Sequence, residues 1–125
     1  MVRVEQREVK AYAEPVSAKE LKEQSVYFLV QFVDNNMMVP IVMPVVYIGR
    51  DLNSGDVGRV YFQDAESFRD GIRYSSATDD SAAQFFEQGE GELNHIFEFE
   101  HAIDVLIRCS VRRRDGPGAE NSPVT

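Results

Sequence analysis

The chain has 125 residues, of which 43% are hydrophobic and 27% are charged, and its formal net charge is −8. A chain of this size is expected to form one domain that buries about two-thirds of the surface exposed by the unfolded polypeptide. The negative charge argues against general binding to nucleic acid or to anionic membranes, because both are negatively charged themselves. Cys109 is the only cysteine, which excludes an intrachain disulfide. With no apolar signal-peptide core near residue 1, the composition predicts a cytoplasmic protein.

The first predicted elements are a strand and a short helix. Residues 2–13 alternate imperfectly between apolar and polar side chains, which indicates a strand with a bulge or bend near residues 6–7. Ser17 and Glu20 have the spacing of a capping box, in which each side chain satisfies a backbone N–H of the other residue. The sequence therefore predicts a short helix from about residue 18 to residue 24.

Two apolar runs on either side of Asp34-Asn35-Asn36 form the predicted centre of the fold. The first run, residues 26–33, is apolar at both odd and even positions, which is typical of a central strand covered on both faces. A single membrane helix through both runs would bury the aspartate and two amides in lipid, at a cost of several kcal/mol each. Asp and Asn tolerate the left-handed backbone of a tight turn, so an antiparallel hairpin is predicted instead.

The second run, residues 38–48, carries Pro40 and Pro44. Residues of equal parity direct their N–H groups toward the same neighbouring strand, so both prolines remove a donor from one side only. We expect that side to be a sheet edge, protected by the prolines from pairing with a second chain. The other side is expected to pair with the first run.

The next segment predicts a strand, a short helix and a return to the sheet. Turn residues over 49–58 precede a short strand over 59–63, antiparallel to the run that ends at Ile48. Asp64 has the character of an N-cap for a helix over residues 65–69, closed near Gly71.

Beyond this helix the pattern is weaker. Ile72 and Tyr74 are predicted to return to the sheet, and residues 75–81 form a polar loop. Residues 82–88 are predicted to make one or two helical turns that place Phe85 or Phe86 in the core.

Residues 90–111 fit two periodicities. Alternation with period 2 predicts a strand, but one of that length would far exceed the usual five or six residues. We therefore divide the segment into a strand over residues 95–99 and a helix over residues 100–113. The predicted solvent-facing side of this helix carries two acidic and two basic side chains: Glu100, Asp104, Arg108 and Arg112.

Together these elements predict a single α+β domain over residues 1–114, followed by a disordered tail over residues 115–125 that is rich in Gly and Pro. The domain is expected to contain a mainly antiparallel sheet of four or five strands, with residues 26–33 near its middle. The C-terminal helix is expected to pack on that sheet, with one or two short helices elsewhere.

Charge is strongly segregated along the chain. Residues 74–107, which we call the acidic stretch, contain no Lys or Arg. Four arginines follow within residues 108–114, where they complement the C-terminal end of the predicted helix. One interpretation of the acidic stretch is a surface that binds a basic protein partner, and the other is a solvated surface that maintains solubility. The candidate binding residues are Asp79, Asp80, Glu87, Glu90, Glu92, Glu98, Glu100 and Asp104.

The two histidines, His95 and His101, suggest a different class of function. With Glu98 or Glu100 they would serve a small hydrolase or a metal-dependent enzyme. Their spacing does not favour a shared metal, because six residues separate them by about 20 Å on a strand and by about 240° around a helix. This hypothesis requires a pocket in which a histidine and a carboxylate converge.

No phosphate-binding Gly-rich loop, nucleophile elbow or Cys-x-x-Cys pair is present in the sequence, so no cofactor, metal or catalytic residue is predicted. The leading hypothesis is a small cytoplasmic binding or regulatory protein without catalysis, which engages a basic protein through its acidic stretch. Neither nucleic acid nor membrane is predicted as a partner. The protein is expected to be a monomer, or a homodimer formed through the sheet edge or the C-terminal helix.

Overall fold

A computed structural model describes residues 13–53, 55, 57–77 and 82–115 of the chain. Its described part is a single α+β domain with one five-stranded antiparallel sheet, which confirms the predicted fold class. The strands lie in the order β4-β3-β2-β1-β5. They are β1 (Val26–Phe32), β2 (Pro40–Arg50), β3 (Arg59–Asp64), β4 (Phe85–Gly89) and β5 (Ile96–Phe97). The helices are α1 (Ala65–Arg69) and α2 (Phe99–Asp115), and 3-10 turns occur at Ala18–Glu20 and Tyr74–Ser76.

Two of the sequence predictions concern terminal segments. The strand predicted over residues 2–13 lies outside the described residues except for Ala13, which is buried and is not part of a strand. The predicted tail also lies outside them, apart from Asp115, which is the last residue of α2.

The central hairpin is confirmed, and Asp34 organises its loop. The carboxylate of Asp34 accepts hydrogen bonds from the N–H groups of Met38 (3.1 Å) and Val39 (2.9 Å). The pKa of Asp34 is lowered, and the largest cause is the hydrogen bond that its carboxylate accepts from Val39. The left-handed backbone falls on Met37, with φ of 58°, rather than on an Asp or Asn. The aspartate therefore shapes the loop by accepting hydrogen bonds and not by its own conformation.

Strand β2 is the middle strand of the sheet, and β1, which was predicted near the middle, lies beside it. Its pairing with β3 starts at Val45 and ends at Arg50, whereas its pairing with β1 starts at Pro40. Both prolines precede Val45, so their missing N–H groups remove nothing from the β2–β3 pairing. Among the described residues, the half of β2 that contains the prolines has no strand registered on that side. The predicted sheet edge is thus correct for residues 40–44 of β2 and wrong for residues 45–50, which pair with β3.

Both faces of the sheet are covered at β1, as the sequence predicted. Leu29 points into the larger core, which consists mainly of sheet residues covered by Val16 and Leu93. Its neighbour Val30 points to the other face and packs with Phe97 and Ala102 in a smaller core beneath α2. Burying apolar area on two faces is the main stabilising contribution for a sheet of this size.

The division of residues 90–111 into a strand and a helix is confirmed, although the strand is only Ile96–Phe97. The predicted solvent-facing side of α2 is wrong at Asp104 and Arg112, which are 7% and 5% exposed. Arg112 is covered because the end of α2 reaches the central hairpin, where its Nε donates to the Met37 carbonyl (2.9 Å). The helix is therefore buried on more sides than its own apolar periodicity indicates.

The helical turns predicted over residues 82–88 are replaced by strand β4, which pairs with β3. Strand geometry sends successive side chains to opposite faces. Phe86 accordingly stacks on Phe62 in the larger core, while Phe85 contacts Tyr74 on the other face. A helical turn would not separate two consecutive phenylalanines in this way. The predicted return of residues 72–74 to the sheet is also wrong, because Tyr74 begins a 3-10 turn.

Both predicted N-cap residues begin a helical segment, but the predicted capping box is wrong. Ser17 Oγ accepts from the Lys19 N–H (3.3 Å), whereas the Glu20 N–H donates to the Ser17 carbonyl (2.9 Å), and the segment is only the 3-10 turn. The predicted helix over residues 18–24 is cut short because Gln24 takes a positive φ of 66° and donates its N–H to the Tyr47 carbonyl, joining the sheet. Helix α1 follows the prediction, with Asp64 as its N-cap and Gly71, with φ of 92°, just beyond its end.

Candidate binding surface

The structure divides the candidate acidic residues into two groups. Glu87 lies on β4, and Glu90 and Glu92 lie in the turn that follows it. Glu98 and Glu100 lie at the start of α2, which packs on β1 and β5 near the opposite edge of the sheet. All five are exposed. Of the remaining candidates, Asp104 is buried, so it does not contribute to an outer surface, and Asp79 and Asp80 lie outside the described residues.

A salt bridge fixes the turn after β4 to the sheet. The Arg50 guanidinium, at the end of β2, is hydrogen-bonded to the Glu90 carboxylate and also donates to the Ala18 carbonyl (2.6 Å). Both charged side chains remain about half exposed, so this ion pair contributes little to stability. Its effect is to position the turn and to neutralise part of the charge of Glu90.

A groove adjoins the acidic group on β4. Register pairs Tyr61 of β3 with Glu87 of β4, and Gln63 with Phe85, so these four side chains lie on one face of the sheet. The 3-10 turn that begins at Tyr74 lies over this face and closes a cavity of about 310 Å³. We call it the tyrosine groove, and it is lined by Asn53, Tyr61, Tyr74, Phe85, Phe86 and Glu87.

Three aromatic rings form the wall of the tyrosine groove. The Tyr74 ring lies edge-on to Tyr61, with centroids 5.6 Å apart, and edge-on to Phe85, with centroids 5.3 Å apart. Edge-to-face packing of this kind is a favourable arrangement for aromatic pairs. The Tyr74 hydroxyl also donates to Asn53 Oδ1 (2.7 Å), which ties the turn to the loop after β2. The wall is therefore formed before any ligand arrives.

The groove combines aromatic rings with a carboxylate. Among its described lining residues, Glu87 is the only acidic or basic side chain. The faces of aromatic rings carry partial negative charge, and a carboxylate adds a full negative charge. Such a site attracts a cation and repels an anion.

Comparison of the chain with protein-family models, with curated proteins and with solved structures found no match. No helix among the described residues combines the length and apolar character needed to cross a membrane.

A second groove of about 240 Å³ lies on the other side of Tyr74 and includes Gln63, Phe68 and Arg73 in its wall. Gln63 is fully buried, and its Nε2 donates to Ser67 Oγ and to the Ile72 carbonyl, each at 2.8 Å. Its Oε1 is inaccessible and has no hydrogen-bond partner among the described residues. These contacts hold the segment after α1 against β3, which positions Tyr74.

The two histidines lie apart from the grooves described above. His95 is exposed in the turn before β5, and His101 is half-buried on α2. Neither histidine lines the tyrosine groove, the second groove, or the two grooves that include Pro44 and Glu66. Within the part of the chain that the structure describes, no three His, Cys, Asp or Glu side chains are grouped closely enough to hold a metal ion.

Sequence reasoning identified Glu87 but missed the other residues of the tyrosine groove. Tyr61 and Glu87 come together only through the β3–β4 register, and β4 was expected to be helical. Asn53 and Tyr74 lie in a loop and a 3-10 turn, where side-chain periodicity gives no signal.

Proposed function

We propose that the protein is a non-catalytic binding module that engages a basic segment of a partner protein through Glu87, Glu90 and Glu92. The observation that carries this proposal is the grouping of these three exposed carboxylates on β4 and its following turn, beside the tyrosine groove. The acidic stretch supplies no Lys or Arg of its own to neutralise them. Arg50 pairs with Glu90 of this group, and Arg59 lies next to the group, opposite Gly89 in the β3–β4 register.

Charge complementarity of this kind acts mainly on the rate and specificity of association. An acidic patch steers a basic partner by its field, and the attraction falls as salt shortens the screening length to about 8 Å at physiological ionic strength. We therefore expect binding to weaken as salt increases. The protein's net charge alone would give some salt dependence, so the test must separate the local patch from the total charge.

The test compares two double variants of equal charge. Glu87→Lys with Glu92→Lys alters the proposed surface, and Glu98→Lys with Glu100→Lys alters the start of α2. Either pair moves the net charge from −8 to −4. The probe is a fluorescein-labelled (Gly-Arg)4 peptide, and anisotropy gives its dissociation constant.

We expect the first pair to weaken binding about ten-fold and the second pair less than about three-fold, because local charges outweigh distant screened ones. Equal weakening by both pairs would show attraction by net charge alone. Unchanged binding of both variants would also contradict the proposal.

We also propose a cytoplasmic location. Cys109 is buried on α2 with a free thiol, and it is the chain's only cysteine, as expected for a protein of a reducing compartment. Measuring the redox state of Cys109 by thiol trapping, together with fractionation of the source cell, tests this location.

A further inference from the structure

We infer that the tyrosine groove receives an arginine side chain of the partner, an assignment that depends on the proposed function and specifies it further. The groove supplies the two groups that bind a guanidinium, an aromatic surface for its flat face and a carboxylate for its N–H donors. The partly exposed Tyr74 and Phe85 rings provide the surface, the buried Tyr61 ring supports Tyr74 from beneath, and Glu87 provides the carboxylate. A volume of about 310 Å³ is at the lower end of the range for ligand pockets, which suits one side chain.

The position of Glu87 makes this geometry specific. It is directly opposite Tyr61 in the β3–β4 register, so its carboxylate and the tyrosine ring project from the same face on neighbouring strands. Side chains directly opposite in an antiparallel pair have Cβ atoms about 5 Å apart. A guanidinium lying against the rings is thus within reach of the carboxylate. Glu90 and Glu92, in the turn beyond, extend the negative surface toward the rest of a basic segment.

Arginine fits better than lysine for two reasons. Its planar guanidinium stacks on aromatic rings, pairs with a carboxylate through two donors and is more weakly hydrated than an ammonium group. The fold itself uses the same contact at two other places. The Arg73 guanidinium lies 3.9 Å from the centroid of the Phe68 ring, and that of Arg112 lies 5.3 Å from the Phe32 ring.

The groove is rigid where the guanidinium would lie. Tyr61 is only 3% exposed, which restricts its ring, and Tyr74 is held by its hydrogen bond to Asn53 and by two ring contacts. A preformed site loses little side-chain entropy on binding, so more of the contact energy appears as affinity.

The experiment is a titration of the ¹⁵N-labelled protein with two capped tripeptides, acetyl-Gly-Arg-Gly-amide and acetyl-Gly-Lys-Gly-amide. With the arginine peptide we expect chemical-shift changes at the amides of Asn53, Tyr74 and Glu87, and a several-fold lower dissociation constant than with the lysine peptide. Equal affinity for the two peptides would overturn the choice of arginine. Shift changes confined to other parts of the sheet would overturn the groove as the site.

Substitutions at Tyr74 isolate the aromatic contact. Tyr74→Leu removes the ring and is expected to weaken the arginine peptide about three- to ten-fold, whereas Tyr74→Phe keeps the ring and should bind within about two-fold of the wild type. Phe85→Leu provides a second ring removal should Tyr74→Leu fail to fold. Equal binding by wild type and folded ring-removal variants would overturn the inference.

The outcomes separate this inference from the proposed function. One outcome is that (Gly-Arg)4 binding is lost in Glu87→Lys with Glu92→Lys but is retained in Tyr74→Leu. That result would support the acidic surface as the binding site and would contradict the groove as the arginine site. Binding of (Gly-Arg)4 that ignores both double variants removes the acidic surface and, because Glu87 is also the carboxylate of the groove, removes the groove as an arginine site.

Discussion

Replacing Asp64 with alanine tests how the face that carries the tyrosine groove is held together. The Asp64 carboxylate accepts from the Ser67 N–H (3.0 Å), the Ser67 hydroxyl (2.6 Å) and the Gln84 N–H (2.8 Å). It therefore joins the end of β3 to the first turn of α1 and to the residue before β4. Removing the carboxylate breaks the hydrogen bonds that link these three segments.

The expected cost follows from these hydrogen bonds. Loss of an N-cap aspartate destabilises by about 1 kcal/mol. Ser67 is 2% exposed, and its hydroxyl loses a charged acceptor, which costs about 1.5–3 kcal/mol when nothing replaces it. The Asp64 carbonyl, 3.2 Å from the same hydroxyl, replaces part of this loss, and water satisfies the exposed Gln84 N–H. We expect Asp64→Ala to lower the free energy of unfolding by about 2–3 kcal/mol at neutral pH.

The pH dependence identifies the carboxylate as the cause. Burial by itself raises the pKa of Asp64, but the hydrogen bonds from Ser67 and Gln84 outweigh it and lower the pKa from the ordinary value of 3.8. A carboxyl whose pKa is lowered on folding stabilises the protein above its unfolded pKa, and this stabilisation disappears as the pH falls through the folded pKa. The gap between wild type and Asp64→Ala should therefore be constant near neutrality and should shrink below a pH of about 3.8.

Urea unfolding of wild type, Asp64→Ala and Asp64→Asn, followed by circular dichroism from neutral pH to about pH 2.5, makes the measurement. The asparagine variant keeps a capping oxygen without a titrating group, so it should lie between the other two at neutral pH and should differ from Asp64→Ala by an amount independent of pH. A cost below about 0.5 kcal/mol for Asp64→Ala, or a gap to wild type that stays unchanged in acid, would contradict the stabilising role of the Asp64 carboxylate.

Two further substitutions test other parts of the fold. Arg112→Ala should lower the free energy of unfolding in urea by about 2–3 kcal/mol, because it removes the hydrogen bond to the Met37 carbonyl and the contact with the Phe32 ring. Its control is Arg113→Ala at the exposed neighbouring position, which should change the free energy of unfolding by less than about 0.5 kcal/mol. Equal effects of the two would mean that Arg112 does not hold the hairpin loop. Gly71→Ala should lower the melting temperature by an amount equivalent to about 1 kcal/mol, since φ is 92° there and open space leaves backbone strain as the only cost. Gly91→Ala, also in open space but outside the left-handed region, should not be destabilising, and a similar loss at both glycines would contradict a conformational origin.

The tyrosine groove shows where local prediction fails. Phe85, Phe86 and Glu87 have no strict alternation, because the two phenylalanines pack on opposite faces of the sheet. A run of this kind gives the same apolar pattern for a strand and for a short helix. Only pairing with β3 selects the strand, and that selection puts Glu87 beside Tyr61. The same dependence on distant segments explains Arg112, whose burial comes from a loop 75 residues earlier in the chain.

Short-range chemistry in the sequence was enough to determine several features of this protein. Asp34 turns the central hairpin, Asp64 and Gly71 delimit α1, and the change of periodicity near Phe99 divides strand from helix. Each of these depends on hydrogen bonds or backbone preferences within a few residues, which the order of amino acids records directly. The middle position of β2, the identity of β4 and the assembly of the groove were decided by tertiary structure alone. They depend on which strands pair and in which register, and that choice is made by the burial of apolar area across the whole sheet.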